Sequence, residues 1–125
     1  MKIITVIVAV LFIYGCKSDH LEKPEPAIVF NTPVANQHFF KGDTIHITGT
    51  VTHVMSIKEV AVHMTDLTSK VEFFHNHFSA GNTNIYNFNC EYIIPDNIKT
   101  SFTVEVEAKD VDDNTALKEM LILIN

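Results

Sequence analysis

The chain has 125 residues, of which 46% are hydrophobic and only four each are glycine and proline. This composition is that of an ordinary globular domain, so it excludes an intrinsically disordered chain and a protein that crosses a membrane several times. Its 15 acidic residues outnumber the nine lysines, arginine is absent, and the net charge is −6. The chain therefore lacks the basic surface that binds nucleic acid and the glycine-rich loop that binds nucleotide phosphates, and we expect neither partner.

Residues 1–15 are predicted to form a signal peptide that is removed from the mature protein. Lys2 supplies a positive charge, a mainly apolar run follows at 3–14, and Gly15 stands directly before Cys16. The run is too short to span a bilayer. This pattern resembles the lipobox of bacterial lipoproteins. An ordinary secreted protein that is cleaved nearby is the alternative.

The lipobox resemblance implies a lipid-anchored protein of the cell envelope. Cys16 would carry the lipid, with palmitate among its acyl chains, and would hold the protein on the membrane. The implied location is the outer membrane, on its periplasmic face or at the cell surface. Cys90 would then be the only thiol of the mature chain, so no intramolecular disulfide is expected.

Residues 16–26 are predicted to be the lipidated cysteine and a polar tether, and residues 27–125 a single domain. The tether contains Pro24 and Pro26 and shows no periodicity. From Ala27 onward valine, isoleucine, threonine, phenylalanine and tyrosine dominate, and these residues favour strands over helices.

Alternation of apolar and polar residues predicts seven strands. In chain order they cover 27–31, 44–51, 60–65, 71–78, 86–92, 102–109 and 120–124. Turn signals occur at 41–43, 80–82 and 95–97, and no stretch has the period of a helix. We therefore predict an all-β protein, an antiparallel sandwich, with a small closed barrel as the alternative.

Several segments resemble the bacterial immunoglobulin-like and cadherin-like repeat superfamily. They are Pro33 and residues 39–44, 57–62, 93–95 and 108–114. The resemblance covers nearly the whole mature chain and implies an immunoglobulin-like sandwich of about seven strands. Together with the lipobox and the acidic tether, it looks more narrowly like the small immunoglobulin-like lipoproteins of Bacteroidota. Such a resemblance implies a fold and a location but no activity.

A His-x-His pair is the first candidate for chemistry. His75 and His77 are two residues apart, so both side chains project from one face of a strand and could reach one ion. A zinc site needs at least a third protein ligand. The candidates for it are His46, His63, His53 and a carboxylate such as Glu72. The resulting hypothesis is a zinc or copper site, and solvated surface histidines explain the same spacing.

An acidic turn before the last strand is the second candidate. Its oxygen-bearing side chains are Asp110, Asp112, Asp113 and Asn114. Calcium prefers oxygen ligands, and cadherin-like domains bind calcium in acidic loops, so a calcium site is one hypothesis. Aspartate and asparagine also favour ordinary turns, and we expect a turn here.

The sequence contains no familiar catalytic motif, such as Gly-x-Ser-x-Gly or His-Glu-x-x-His. Cys90 alternates with aromatic residues on a predicted buried face, so we expect an inert thiol. We therefore predict that the protein is not an enzyme, has no catalytic residue and requires no cofactor.

The expected function is a binding or structural module that contacts an envelope protein or a glycan. A metal-binding lipoprotein that uses the His-x-His strand is the alternative. The aromatic residues that could form an exposed contact surface are Phe39, Phe40, Phe73, Phe74, Phe78 and Tyr86. Packing of these rings in the core is the other explanation.

Overall fold

The computed structural model describes residues 23–125. Six strands make up this part of the chain: β1 (Ala27–Thr32), β2 (Gln37–Phe39), β3 (Thr44–Asp66), β4 (Glu72–Ile93), β5 (Phe102–Asp110) and β6 (Thr115–Ile124). Within residues 23–125 there is no helix long and apolar enough to cross a membrane. The predicted signal peptide and Cys16 lie outside the described residues.

The two longest strands, β3 and β4, have 23 and 22 residues and pair with each other in antiparallel fashion. Their pairing begins at Thr44 and Ile93, and its register shifts between Thr52 and Ile57. The register shifts again between Ile57 and Glu59, and opposite this second shift β4 has two consecutive residues, 81 and 82, with positive φ values of 66° and 58°. The paired strands therefore bend here, and each contributes to both layers of the sandwich.

The remaining strands extend the two halves of the β3–β4 pair. β1 pairs with the first half of β3, and β5 pairs with the second half. β6 pairs with β5, and the short β2 adds to β6 as a parallel strand. One layer thus consists of β1, the first half of β3 and the second half of β4. The other layer consists of the first half of β4, the second half of β3, and β5, β6 and β2.

The prediction of an all-β sandwich is confirmed, and three details differ. The second and third predicted strands are both parts of β3, and the fourth and fifth are both parts of β4. The turn predicted at 80–82 is a bend inside β4, because the chain passes from one layer to the other without leaving its partner strand. β2 was not predicted, since three residues are too few to show alternation.

The hydrophobic core lies between the layers and follows the predicted alternation. Its fully buried members include Ile45, Ile47 and Val51 of the first half of β3, and Val60, Val62 and Met64 of the second half. β5 adds Phe102, Val104, Val106 and Ala108. Because side chains alternate along a strand, the residues between these positions point to the outer faces of the two layers.

Gly49 lies where β1 and the core approach β3 most closely. A methyl group at this position would overlap the Val29 carbonyl oxygen and the Phe88 ring. Phe88 is only 1% exposed, so its ring has no free space to enter. The position therefore requires a residue without a side chain.

We expect Gly49→Ala to lower the free energy of unfolding by about 2 kcal/mol, since overpacking a filled core costs about 1–3 kcal/mol. Urea denaturation followed by circular dichroism measures this change. Ser79→Ala, at an exposed position of β4, is the control and should change stability by less than about 0.5 kcal/mol. Equal losses in the two variants would contradict the packing argument.

Candidate metal centre

Three titratable side chains meet on the outer face of the β4–β3–β5–β6 layer. His63 of β3 lies directly opposite His75 of β4, and their rings meet edge to face with centroids 4.3 Å apart. The Glu72 carboxylate bridges them: Oε2 lies 2.8 Å from His63 Nδ1, and Oε1 lies 3.4 Å from His75 Nδ1. One ligand atom from each residue lies within 4.8 Å of the other two. We call His63, Glu72 and His75 the triad.

A local irregularity of β4 puts Glu72 on the same face as His75. In a regular strand, two residues three apart point to opposite faces. Here Met64 pairs with Phe74 but the next residue of β3 pairs with Glu72, so β4 contains one extra residue, Phe73. The Phe73 ring packs edge to face on the buried Phe102, with centroids 5.3 Å apart. Glu72 is therefore turned outward to join the histidines.

The environment of Glu72 favours its ionised form, the negatively charged carboxylate that binds cations. The hydrogen bond from His63 is the main reason that the pKa of Glu72 lies below its ordinary value, and the bond from His75 acts in the same direction. The His63 side chain is 17% exposed, whereas those of Glu72 and His75 are each 47% exposed. An ion from solvent can thus reach the triad, and one imidazole is held firmly by its surroundings.

Two spacings within the triad, each to a different Glu72 oxygen, are close to those of a zinc site. A tetrahedral ion with bonds of about 2.0–2.1 Å holds its ligand atoms roughly 3.3 Å apart. The two distances from the Glu72 oxygens to the imidazole nitrogens, 2.8 and 3.4 Å, lie on either side of this value. Two imidazole nitrogens and a carboxylate oxygen suit zinc and copper, and three protein ligands leave a fourth position for water.

The other two histidines predicted as ligands lie apart from the triad, each beside its own carboxylate. His77 is further along β4, and its Nε2 lies 3.1 Å from Glu59 Oε2. His46 is in the first half of β3, and its Nδ1 lies 2.9 Å from Glu91 Oε1. Sequence spacing pairs His77 with His75, whereas the folded chain brings His75 to His63 across the strands.

The predicted calcium ligands form a turn that is closed by a buried aspartate. Asp110 is fully buried, and its carboxylate accepts hydrogen bonds from the backbone N–H groups of Asp112 and Asn114, at 2.9 and 2.8 Å, and from the Asn114 side chain. Its Oδ2 also lies 3.0 Å from Nε2 of the buried His53. Asp113 faces away and pairs with Lys58 at 3.1 Å. The carboxylate of Asp110 is thus occupied by N–H donors and is not open to calcium.

Two opposing effects, burial and hydrogen bonding, set the pKa of the buried Asp110. Burial alone would raise it, but the hydrogen bonds from Asn114, His53 and Asp112 outweigh burial and hold the pKa at about 2.

Among residues 23–125, the triad is the one group of three or more His, Cys, Asp or Glu that could hold a metal ion.

Cys90 is buried, with 7% of its surface exposed, and burial raises the pKa of its thiol to about 11. Such a thiol stays protonated at neutral pH and is a poor nucleophile and metal ligand.

Neither a scan against protein-family models nor a search of curated proteins gave a match. Solved structures share the fold. OgpA from Akkermansia muciniphila superposes with a TM-score of 0.57 at 15% identity, over 79% of this chain and 28% of that chain. The superoxide reductase neelaredoxin from Ignicoccus hospitalis gives 0.56 at 9% identity, over 83% of both chains. The fibronectin(III)-like modules of Clostridium thermocellum CbhA superpose with a TM-score of 0.53 at 14% identity, over 82% of this chain and 48% of that chain.

Identities this low show a common fold and no more. The fibronectin-like modules confirm the prediction of an immunoglobulin-like β fold. This chain spans only 28% of the OgpA chain and about half of the CbhA chain. The narrower resemblance to lipoproteins of Bacteroidota gains no support from these structures.

The prediction that the protein is not an enzyme was wrong in its reasoning. A superoxide reductase shares this fold over most of the chain, so the fold is compatible with catalysis. The prediction relied on the absence of linear catalytic motifs. A centre assembled across neighbouring strands, such as the triad, leaves no such motif in the sequence.

We expect Asp110→Asn to lower the melting temperature near neutral pH, because it removes the charge that the donors around position 110 stabilise. The folded-state pKa of about 2 lies below the ordinary value of 3.8. The ionised carboxylate therefore stabilises the fold above about pH 4, and this contribution is lost as the pH falls through about 2. The difference in melting temperature between wild type and variant should shrink over that range.

Thermal unfolding by circular dichroism between pH 2 and 7 checks this expectation. Asp112→Asn, at an exposed position of the same turn, is the matched control and should behave like wild type. A stability difference for Asp110→Asn that does not change with pH would contradict the assignment.

Proposed function

We propose that the protein is a metal-binding domain of the bacterial cell envelope, in which the triad binds a zinc or copper ion. The observation that carries this proposal is the position of three ligand atoms within 4.8 Å of one another on an outer sheet face. The His63 and His75 rings would supply nitrogen ligands, and Glu72 would supply an oxygen ligand and a negative charge.

The surroundings of the triad support a cation. The whole chain has a net charge of −6, which raises the local concentration of cations at its surface. Glu105 of β5 lies directly opposite His63, on the side away from His75, and Glu119 of β6 lies opposite Glu105. Two like charges on neighbouring strands repel each other, and a nearby cation would relieve that repulsion.

Glu105 also fits a second role at the site. Metal-bound histidines commonly donate their other ring N–H to a carboxylate, which fixes the orientation of the ring. His63 faces the triad through Nδ1, so its Nε2 is the nitrogen available to a neighbour on β5. We propose that Glu105 accepts this hydrogen bond when the metal is bound.

The envelope location is part of the same proposal and depends on Cys16. A lipid on Cys16 would place the domain that begins at Ala27 a short tether away from the outer membrane, on its periplasmic face or at the cell surface. An envelope protein or a glycan is the proposed macromolecular partner there.

Zinc titration of chelator-stripped protein by isothermal calorimetry tests the metal site. We expect one ion per chain, and we expect His63→Asn or His75→Asn to weaken binding by at least about 100-fold, since each removes a ligand. His46→Asn and His77→Asn are matched controls, because these histidines also lie beside a glutamate but outside the triad. Binding that is absent in wild type, or lost equally in all four variants, would overturn the proposal.

Labelling with radioactive palmitate during bacterial expression tests the anchor. Cys16→Ser should abolish the label and move the protein from the membrane to the soluble fraction. Cys90→Ser is the control and should keep the label, because Cys90 lies buried in the folded domain. Label on the Cys16→Ser variant, or none on wild type, would contradict lipidation at Cys16.

A further inference from the structure

A cavity of about 470 Å³ lies at one end of the sandwich, lined in part by Val71 and Phe73, the two chain neighbours of Glu72. It lies between residues 67–71, which connect β3 to β4, and residues 94–101, which connect β4 to β5. Its volume falls within the range of small-molecule sites, about 300–1,000 Å³.

Two aromatic rings form one wall of this cavity. Phe73 and Tyr92 line it, with ring centroids 5.7 Å apart. Behind them, Phe102 packs edge to face on Phe73, and Phe74 packs on Tyr92 at 5.2 Å. Phe73 is nevertheless 36% exposed, so part of its apolar surface is open to a ligand. The two rings are tilted by 49° to each other, and the wall that they form is apolar and held in place by the core.

The loops that border the cavity are held together by Asp66. Its carboxylate accepts hydrogen bonds from the backbone N–H groups of Thr68 and Ser69, at 2.9 and 2.7 Å, and from the hydroxyls of Ser69 and Thr100. These bonds, led by the one from the Ser69 backbone, lower the pKa of Asp66 to about 2. The cavity is therefore preformed, and its acidic residue is already occupied by internal donors.

The other polar groups that line the cavity are hydroxyls, an amide and the Lys99 ammonium. The lysine ion pairs found among residues 23–125 are those of Lys58 and Lys109, so Lys99 is free to pair with a ligand. The ionised Asp66 carboxylate lines the same cavity but is held by the donors of its own loop and by Thr100. Burial raises the pKa of Tyr92, so its hydroxyl keeps its proton at neutral pH. Asn97 adds a side-chain amide. A ligand that complements this site is an anion with an apolar ring.

We infer that the cavity binds a small molecule with a six-membered ring that has an apolar face and carries a carboxylate. The ring packs against Phe73 and Tyr92, and the carboxylate pairs with Lys99. Two sources share this chemistry, namely an aromatic acid and a uronic acid unit of a glycan. Because the chain as a whole is acidic, its general field repels such a ligand, and binding depends on the local charge of Lys99.

NMR titration of nitrogen-15-labelled protein tests this inference, with 4-hydroxyphenylacetate and glucuronate as probes and 4-methylphenol as the neutral ring. We expect saturable shifts of the backbone amides of Phe73, Tyr92 and Lys99 with at least one of the acids. Lys99→Gln should weaken binding of that acid about tenfold, the effect of losing one hydrogen bond between charged groups. Lys58→Gln, at an exposed position beside Asp113 and the opposite end of β5, is the matched control and should bind like wild type.

The pattern of binding identifies the source of the ligand. Binding of 4-hydroxyphenylacetate supports an aromatic acid, and binding of glucuronate supports a glycan. If neither acid gives saturable shifts at millimolar concentration, or if Lys99→Gln and Lys58→Gln bind equally well, the inference is overturned. The dispersion of the variant spectra shows whether each variant is folded, and neither result depends on metal binding at the triad.

Discussion

The pairing of β3 with β4 is the interaction on which the rest of the structure depends. Its register shift between Thr52 and Ile57 coincides with the bend that carries both strands from one layer into the other. Its last shift, between Met64 and Thr65, turns Glu72 outward beside the two histidines of the triad. Hydrogen bonding between the same two strands thus builds the core and gathers the ligands, so we expect the metal site to form only in the folded sandwich.

Much of the fold could be predicted because a strand with one buried face must alternate apolar and polar residues. The bend within β3 and β4 could not be predicted, since a residue such as Gly81 occurs both in a turn that ends a strand and in a bend inside a strand.

The candidate metal site is harder to predict than the fold. Sequence spacing groups His75 with His77, whereas the partnership of His75 with His63 depends on a register that one sequence does not specify. Glu72 has the wrong spacing for its face unless the extra residue in β4 is known.

The triad and the end cavity consist of different residues of one domain and call for different ligands. The triad presents nitrogen and ionised oxygen ligands to a cation, while the cavity presents an aromatic wall and a lysine to an anion. The solved structures that share this fold include an enzyme, a superoxide reductase, and modules of a larger protein. Since one fold supports many activities, function has to be argued from these two sites rather than from the architecture.

The X-ray absorption spectrum at the zinc edge, recorded on protein loaded with one equivalent of zinc, tests the central claim most directly. We expect a four-coordinate ion with two imidazole nitrogens at about 2.0–2.1 Å and oxygen ligands at about 2.0–2.2 Å. A spectrum that shows only oxygen ligands, or a sulfur ligand at about 2.3 Å, would contradict binding by His63, Glu72 and His75.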